Sequence, residues 1–238
     1  PKIDAVLAIL LRPTDNLLGI GSLLTNTLIS IVRVLLGYIL AALVGIPLGV
    51  VGAVRRNTWV DYLVMLIALL GVSMPTFWVG ILLMQLFALE FRILPPSGTG
   101  TWRHMVLPAT TVALASIAFI ARMTRSSLIE ALREDYVRTA RAKGLAEKVV
   151  IYKHALRNAL LPILAVSGGL LSGLVGGSVI IENIFSWPGI GRVAWQAVNN
   201  RDYNVSMSVM LLSAVLTMIG YLLVDIAYVW VDPRIKYD

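Results

Sequence analysis

The chain has 238 residues, of which 58% are hydrophobic and only 14% charged, and its mean hydropathy is +0.83. No ordinary water-soluble domain of this length has that balance, so a multispanning membrane protein is expected. The net charge of +7 does not point to nucleic acid, because the basic residues fall mostly in short segments beside apolar stretches. The absence of cysteine excludes disulfides, thiol catalysis and thiolate metal sites.

In chain order, residues 1–26 read as an extracytoplasmic or interfacial lead-in. Its apolar run Ile3–Leu11 is too short to cross about 30 Å of hydrocarbon, and no cleavable signal is evident. The expectation is a chain that starts within a longer gene product. Five later segments are long and apolar enough to cross as helices: 28–54, 62–89, 105–121, 159–181 and 205–231. The fold class expected is therefore an all-α, polytopic helical bundle.

The segments between these spans alternate in charge. Arg55 with Arg56, the island 122–158 and Arg234 with Lys236 carry the excess of Lys and Arg, which puts them on the cytoplasmic side with the C-terminus. The Pro- and Gly-rich Glu90–Arg103 and the charge-balanced Glu182–Asn204 then face outward. Arg33 lies inside the first span, but the 22 residues from it to Arg55 rise about 33 Å, one hydrocarbon thickness. It is expected to snorkel to the outer surface.

Small residues at four-residue spacing, Gly45 with Gly49 and then Gly169, Gly173 and Gly177, mark faces for close helix packing, expected within the chain. Pro47, Pro75 and Pro162 each remove a helical donor and imply kinks or local unwinding. Around Pro75, the residues Ser73 and Met74 are candidates for the lining of a pathway. For Asp225, the deep carboxylate of the last span, a pair with a neighbouring helix or partial hydration is expected rather than a functional role.

The island carries the most information. Between Arg122 and Arg157 lie nine of the twenty Lys and Arg residues. Within it Glu130–Ala142 reads as one amphipathic helix, with Leu132, Tyr136 and Ala140 recurring at four-residue steps. Gly144 can take the left-handed conformation that ends a helix, and Leu145–Asn158 then starts another that leads into Pro162. A loop that only fixed topology would need the basic residues but not this apolar face or this glycine.

No catalytic constellation accompanies it. Neither a P-loop nor a GxSxG, HExxH or GxGxxG pattern occurs, so the chain is not read as an enzyme. His104 and His154 fall on opposite sides of the membrane and cannot share a metal.

The island, as EALREDYVRTARAKGL from Glu130 and HALRNALLP from His154, resembles the coupling loop of the permease subunits of ABC importers, and specifically the dipeptide, oligopeptide and nickel branch. The similarity continues through GVSMPTFWVG from Gly71, LPPSG from Leu94, IENIFSWPGIGR from Ile181, RDY from Arg201 and DPRI from Asp232. It covers roughly 27–237, the expected transmembrane domain. Such permeases usually carry an additional first span, so the family has six where five are expected here.

The resemblance implies a binding-protein-dependent importer in the inner membrane, with a second homologous permease, two cytoplasmic ATPase subunits that bind ATP and Mg, and an extracytoplasmic binding protein. No cofactor is implied for this chain itself. A coupling helix at Asp135–Leu145 would enter a groove on an ATPase subunit. The resemblance assigns Tyr136, Ala140 and Leu145 to packing there, Asp135, Arg138 and Arg141 to polar contacts, and Gly144 to the turn. In the outer segment, Glu182, Trp187 and Pro188 are candidates for a gate or for a dock for the binding protein, with an interfacial tryptophan anchor as the other reading. Peptide is the expected cargo and nickel or a metal chelate the alternative. An ATP-independent carrier or channel is the competing class, and an intramembrane enzyme would lack paired catalytic residues at one depth.

Overall fold

The computed structural model describes residues 20–231, with side chains described for 25–166 and 179–226. Most of the lead-in, Arg234, Lys236 and the DPRI motif lie outside the described residues, and Gly169, Gly173 and Gly177 lie outside the described side chains. Among the described residues every regular element is a helix, as apolar segments without access to water require. Among the described residues, four helical stretches are long and apolar enough to cross a membrane, namely Thr25–Val54, Arg103–Ala131, Glu147–Val166 and Tyr203–Ile226. The bent pair Trp59–Ser73 and Thr76–Glu90 makes a fifth if it is one span.

The first helix, α1, runs Ile20–Val54 and holds Pro47 without ending. The expected second span is two helices, α2 (Trp59–Ser73) and α3 (Thr76–Met84), the latter continuing as a π-helical turn to Glu90. Pro75 stands between them with extended backbone, φ −59° and ψ 132°. Its ring removes the donor that would have carried the helix onward. Helix α4 is Arg103–Ala131, ten residues longer than expected at its C-terminal end. Helix α5, Asp135–Ala142, follows after three residues, so the expected continuous helix 130–142 is broken. Glu147–Val149, a π-helical Val150–Ala155 and Leu156–Ala159 lead into α6, Leu161–Ile184. A helix that was not expected, α7 (Ile190–Asn199), precedes α8 (Tyr203–Val231).

The chain forms two compact units. Among the described residues, the first comprises 20–40, 74–114 and 171–219. One of its cores holds Ala88, Leu107, Val112, Ile181 and Phe185, and another holds Ile29, Met105 and Trp187. Helix α7 buries Ile190 and Val193 against Val209 of α8. The Leu94–Gly98 motif is tied down by the Gly98 N–H, which donates to the Phe185 carbonyl at 3.0 Å.

The second unit comprises 41–73, 115–170 and 220–231. Here α1 and α4 approach closely at the GxxxG pair, which packs within the chain as expected. A Cβ added at Gly45 would lie 2.9 Å from the Ile117 carbonyl, and one at Gly49 2.5 Å from that of Ala121. A single core then joins Val50 and Ala53 of α1, Leu128 and Ala131 of α4, Val137 and Ala140 of α5, and Val150, Ile151, Ala155 and Ala159 beyond.

Candidate functional site

Helix α5 is short and two-faced. Glu134 precedes it in extended conformation, and Thr139 donates its hydroxyl back to the Asp135 carbonyl at 2.9 Å. Val137 and Ala140 turn inward at 0% and 5% exposure, so Ala140, assigned above to an outer groove, belongs to the core beneath the helix. Tyr136 and Leu145 are exposed, as are Asp135, Arg138 and Arg141. The 100° step between successive helical residues explains the division. With Val137 pinned inward, Tyr136 turns away from the core and Ala140, three residues on, returns to it.

Gly144 ends the helix at φ +75°. Its N–H donates to the Arg141 carbonyl at 2.9 Å and the Leu145 N–H reaches the Ala140 carbonyl at 3.5 Å, the paired bonds of a Schellman turn. Arg141 then reaches across the turn to Glu147, Nη2 to Oε1 at 2.7 Å. That pair is exposed, so it contributes at most about 1 kcal/mol. The Asp135–Arg138 pair, at 3.4 Å and almost wholly exposed, is weaker still. The result is a compact ledge: Tyr136 and Leu145 on the outside, a packed core behind, and a turn that fixes both.

The second constellation lies in the first unit and corrects the expectation for Arg33. Arg33 does not snorkel. It is 0% exposed, and its Nη2 lies 2.7 Å from Glu182 Oε1, with Glu182 equally buried. The same carboxylate accepts from the Ser30 hydroxyl at 3.1 Å and from the Arg192 N–H at 2.8 Å, while the Ile190 N–H donates to Ser30 Oγ. Glu182 thus sits at the N-terminus of α7, where free amides favour an anion. The glycines of the motif make room for it, since a Cβ at Gly189 would overlap the carboxylate and one at Gly191 would lie 2.9 Å from Oε2. Arg33 Nε and Nη1 and Trp187 Nε1 are buried without a partner.

Trp187 is itself 0% exposed, packed on Ile29 and Met105, and is not an interfacial anchor. Pro188 is half-buried beside it. Ser73 and Pro75 are exposed and Met74 is half-buried. Asp225 is also exposed, and of the two expected surroundings the pair with a neighbouring helix is not formed among the described residues.

Sequence reasoning passed over a third group. Asp61, 2% exposed, holds Arg125 of α4 with both carboxylate oxygens, Oδ1 to Nε at 2.5 Å and Oδ2 to Nη2 at 2.7 Å. Asp61 Oδ2 also accepts from the Asn57 N–H at 3.0 Å. The signal available was an acid in the first turn of α2, close behind Arg55 and Arg56.

Residues 45–237 match the family model described as "Binding-protein-dependent transport system inner membrane component". The chain belongs to that family. It is accordingly a multi-pass inner membrane permease component of a binding-protein-dependent ABC transport system, and not the ATPase of that system.

Among similar proteins, the dipeptide transport system permease protein DppB of Alkalihalophilus pseudofirmus is 44% identical over 227 residues, covering 84% of this chain and 68% of its own. The glutathione transport system permease protein GsiC of Escherichia coli K12 is 43% identical, covering 83% and 64%. The oligopeptide transport system permease protein AppB of Bacillus subtilis is 40% identical, covering 90% and 70%. The chain thus spans about two thirds of the length of these relatives. In fold it matches a chain of the MetNI methionine ABC transporter in an inward-facing form, with a TM-score of 0.74 at 19% identity, covering 89% of this chain and 96% of that one.

Proposed function

We propose that this permease component forms part of the route for di- and oligopeptides delivered by a binding protein, paired with a second homologous permease and driven by two ATPase subunits that dock on α5 and its turn. The observation that carries the docking is the ledge itself. An eight-residue helix whose inner face is locked into a core, and whose outer face offers an aromatic and an aliphatic side chain ringed by charge, suits a groove on a partner. Tyr136 and Leu145 supply its apolar contacts, and Asp135, Arg138 and Arg141 its polar rim. Ala140 supports the ledge from within rather than touching the groove.

ATP binding closes the ATPase pair, the ledge moves with it, and the core that α5 shares with α1 and α4 carries the motion into the spans. A Cβ added at Gly144 meets no atom within 4 Å, so a side chain there points into open space where the partner would dock, at the cost of the strain that a φ of +75° puts on any residue but glycine. The names of the relatives, two of them dipeptide and oligopeptide systems and one a glutathione system, support peptide as cargo.

Purification of the chain from its host membrane, followed by mass spectrometry and uptake assays in proteoliposomes, tests this reading. Recovery of ATPase subunits and a second permease, with uptake of a labelled dipeptide that needs ATP and the binding protein, is expected. Uptake of nickel but not of peptide would replace the cargo. Solute movement by the chain alone, driven by an ion gradient, would remove the coupling role.

A further inference from the structure

We propose that the Asp61–Arg125 pair is the strut through which movement of the α5 ledge reaches α2, and so positions the helix that ends at Ser73 before the Pro75 break. The inference rests on the docking role of α5 proposed above.

The first link is short and stiff. Three residues separate α4 from α5, and they are hydrogen-bonded in place. The Leu132 N–H donates to Leu128, that of Arg133 to Glu130 and that of Glu134 to Ala131, at 2.9, 2.9 and 3.2 Å. Leu128 and Ala131 share a core with Val137 and Ala140, so the end of α4 and the ledge move as one body. Arg125 stands one turn before Leu128, on the same face of α4.

The second link is the ion pair. Of α2's fifteen residues only Asp61, Val64 and Ala68 are buried, and α2 contributes nothing to the core around α5. Two small apolar contacts hold α2 less firmly in register than the ten-residue core holds α4 and α5. A two-point guanidinium–carboxylate fork resists both rotation and translation, and the Asn57 N–H fixes the carboxylate from a third side. Asp61 lies in the first turn of α2, where an acid is favoured, and its carboxylate is fixed from three sides. Its geometry here suits the transfer of displacement between helices.

The test uses the complete transporter, with both permeases, both ATPase subunits and the binding protein, in proteoliposomes, and reads labelled dipeptide moved per ATP hydrolysed. Asp61→Asn keeps the shape and the acceptor for Asn57 but removes the charge. It is expected to retain the ATPase subunits on purification while peptide per ATP falls about fivefold or more. Arg125→Lys keeps the charge but cannot make the fork, and is expected to fall between wild type and Asp61→Asn. It carries the test alone if Asp61→Asn does not accumulate. A role confined to folding would lower the amount of protein and leave peptide per ATP at the wild-type value in both variants, which overturns the strut.

Leu145→Glu, on the ledge, separates the two claims. If it leaves ATPase binding and transport intact, the docking reading fails and the strut with it. If it uncouples transport while Asp61→Asn and Arg125→Lys do not, the strut alone fails.

Discussion

Removing Glu182 should destabilise the protein more than removing its cationic partner, and removing both should be milder than removing Glu182 alone. Glu182→Leu leaves the Arg33 guanidinium 0% exposed, the acceptor of its Nη2 gone and its Nε and Nη1 already without partners. An uncompensated buried charge of this kind costs about 3–5 kcal/mol. Arg33→Met leaves Glu182 with the Ser30 hydroxyl and the Arg192 N–H at the start of α7, which still solvate the carboxylate, so the loss should be about 1–2 kcal/mol. In the double variant no unpaired charge remains, and the cost is that of the two orphaned donors, about 1–3 kcal/mol. Those donors are orphaned in Glu182→Leu as well, so they cancel, and Arg33→Met should rescue Glu182→Leu by the lone-charge penalty itself, about 3–5 kcal/mol. Reversible unfolding of the purified permease in mixed detergent, followed by tryptophan fluorescence, measures all four corners of the cycle. Additive losses, with the double variant as unstable as the sum of the singles, would refute the pairing.

Gly49→Ala, Gly45→Ala and Gly37→Ala should lower the amount of folded protein in that order of severity, because the added Cβ would lie 2.5, 2.9 and 3.3 Å from facing carbonyl oxygens. Quantitative blotting of membranes reads the series, and a flat response would contradict the close approach. Gly144→Ala should cost about 1 kcal/mol of stability from its positive φ, with Gly144→Asn costing less. Equal effects in thermal unfolding would mean that the turn is not held left-handed. Asp202→Ala should cost about 1 kcal/mol, since the Asp202 carboxylate accepts from the Val205 N–H at 3.1 Å as the N-cap of α8, and Asp202→Asn should restore most of it in the same assay.

What was legible in the sequence was local. Apolar length gave the spans, the glycine after a basic helix gave the turn at 144, and the GxxxG pair gave the tight seam on α4. The Arg33–Glu182 pair was not legible, because its partners are 149 positions apart and a lone arginine 22 residues from the next basic pair fits a snorkelling geometry equally well. Helix α7 is masked in the sequence by the Pro188–Gly189 approach and Gly191, although Ile190, Val193, Ala194 and Ala197 have helical spacing. The helix expected over 130–142 ignored the reversal at 132–134, which no proline or glycine marks. The core against which Val137 and Ala140 pack imposes that break. Ala140, which the resemblance assigns to the groove, turns to the core instead, because periodicity defines a face and only tertiary packing says which way it points.

The most direct test of the account is ATP-driven dipeptide uptake by the assembled transporter carrying Gly144→Trp, with hydrolysis measured in the same vesicles. The ledge reading expects the variant permease to reach the membrane, since nothing lies within 4 Å of the added Cβ, and expects peptide uptake per ATP to collapse in Gly144→Trp but not in Gly144→Ala, which carries the same strain from the positive φ. Uptake per ATP equal to wild type, from a correctly assembled variant, would contradict the claim that α5 and its turn are where the ATPase acts.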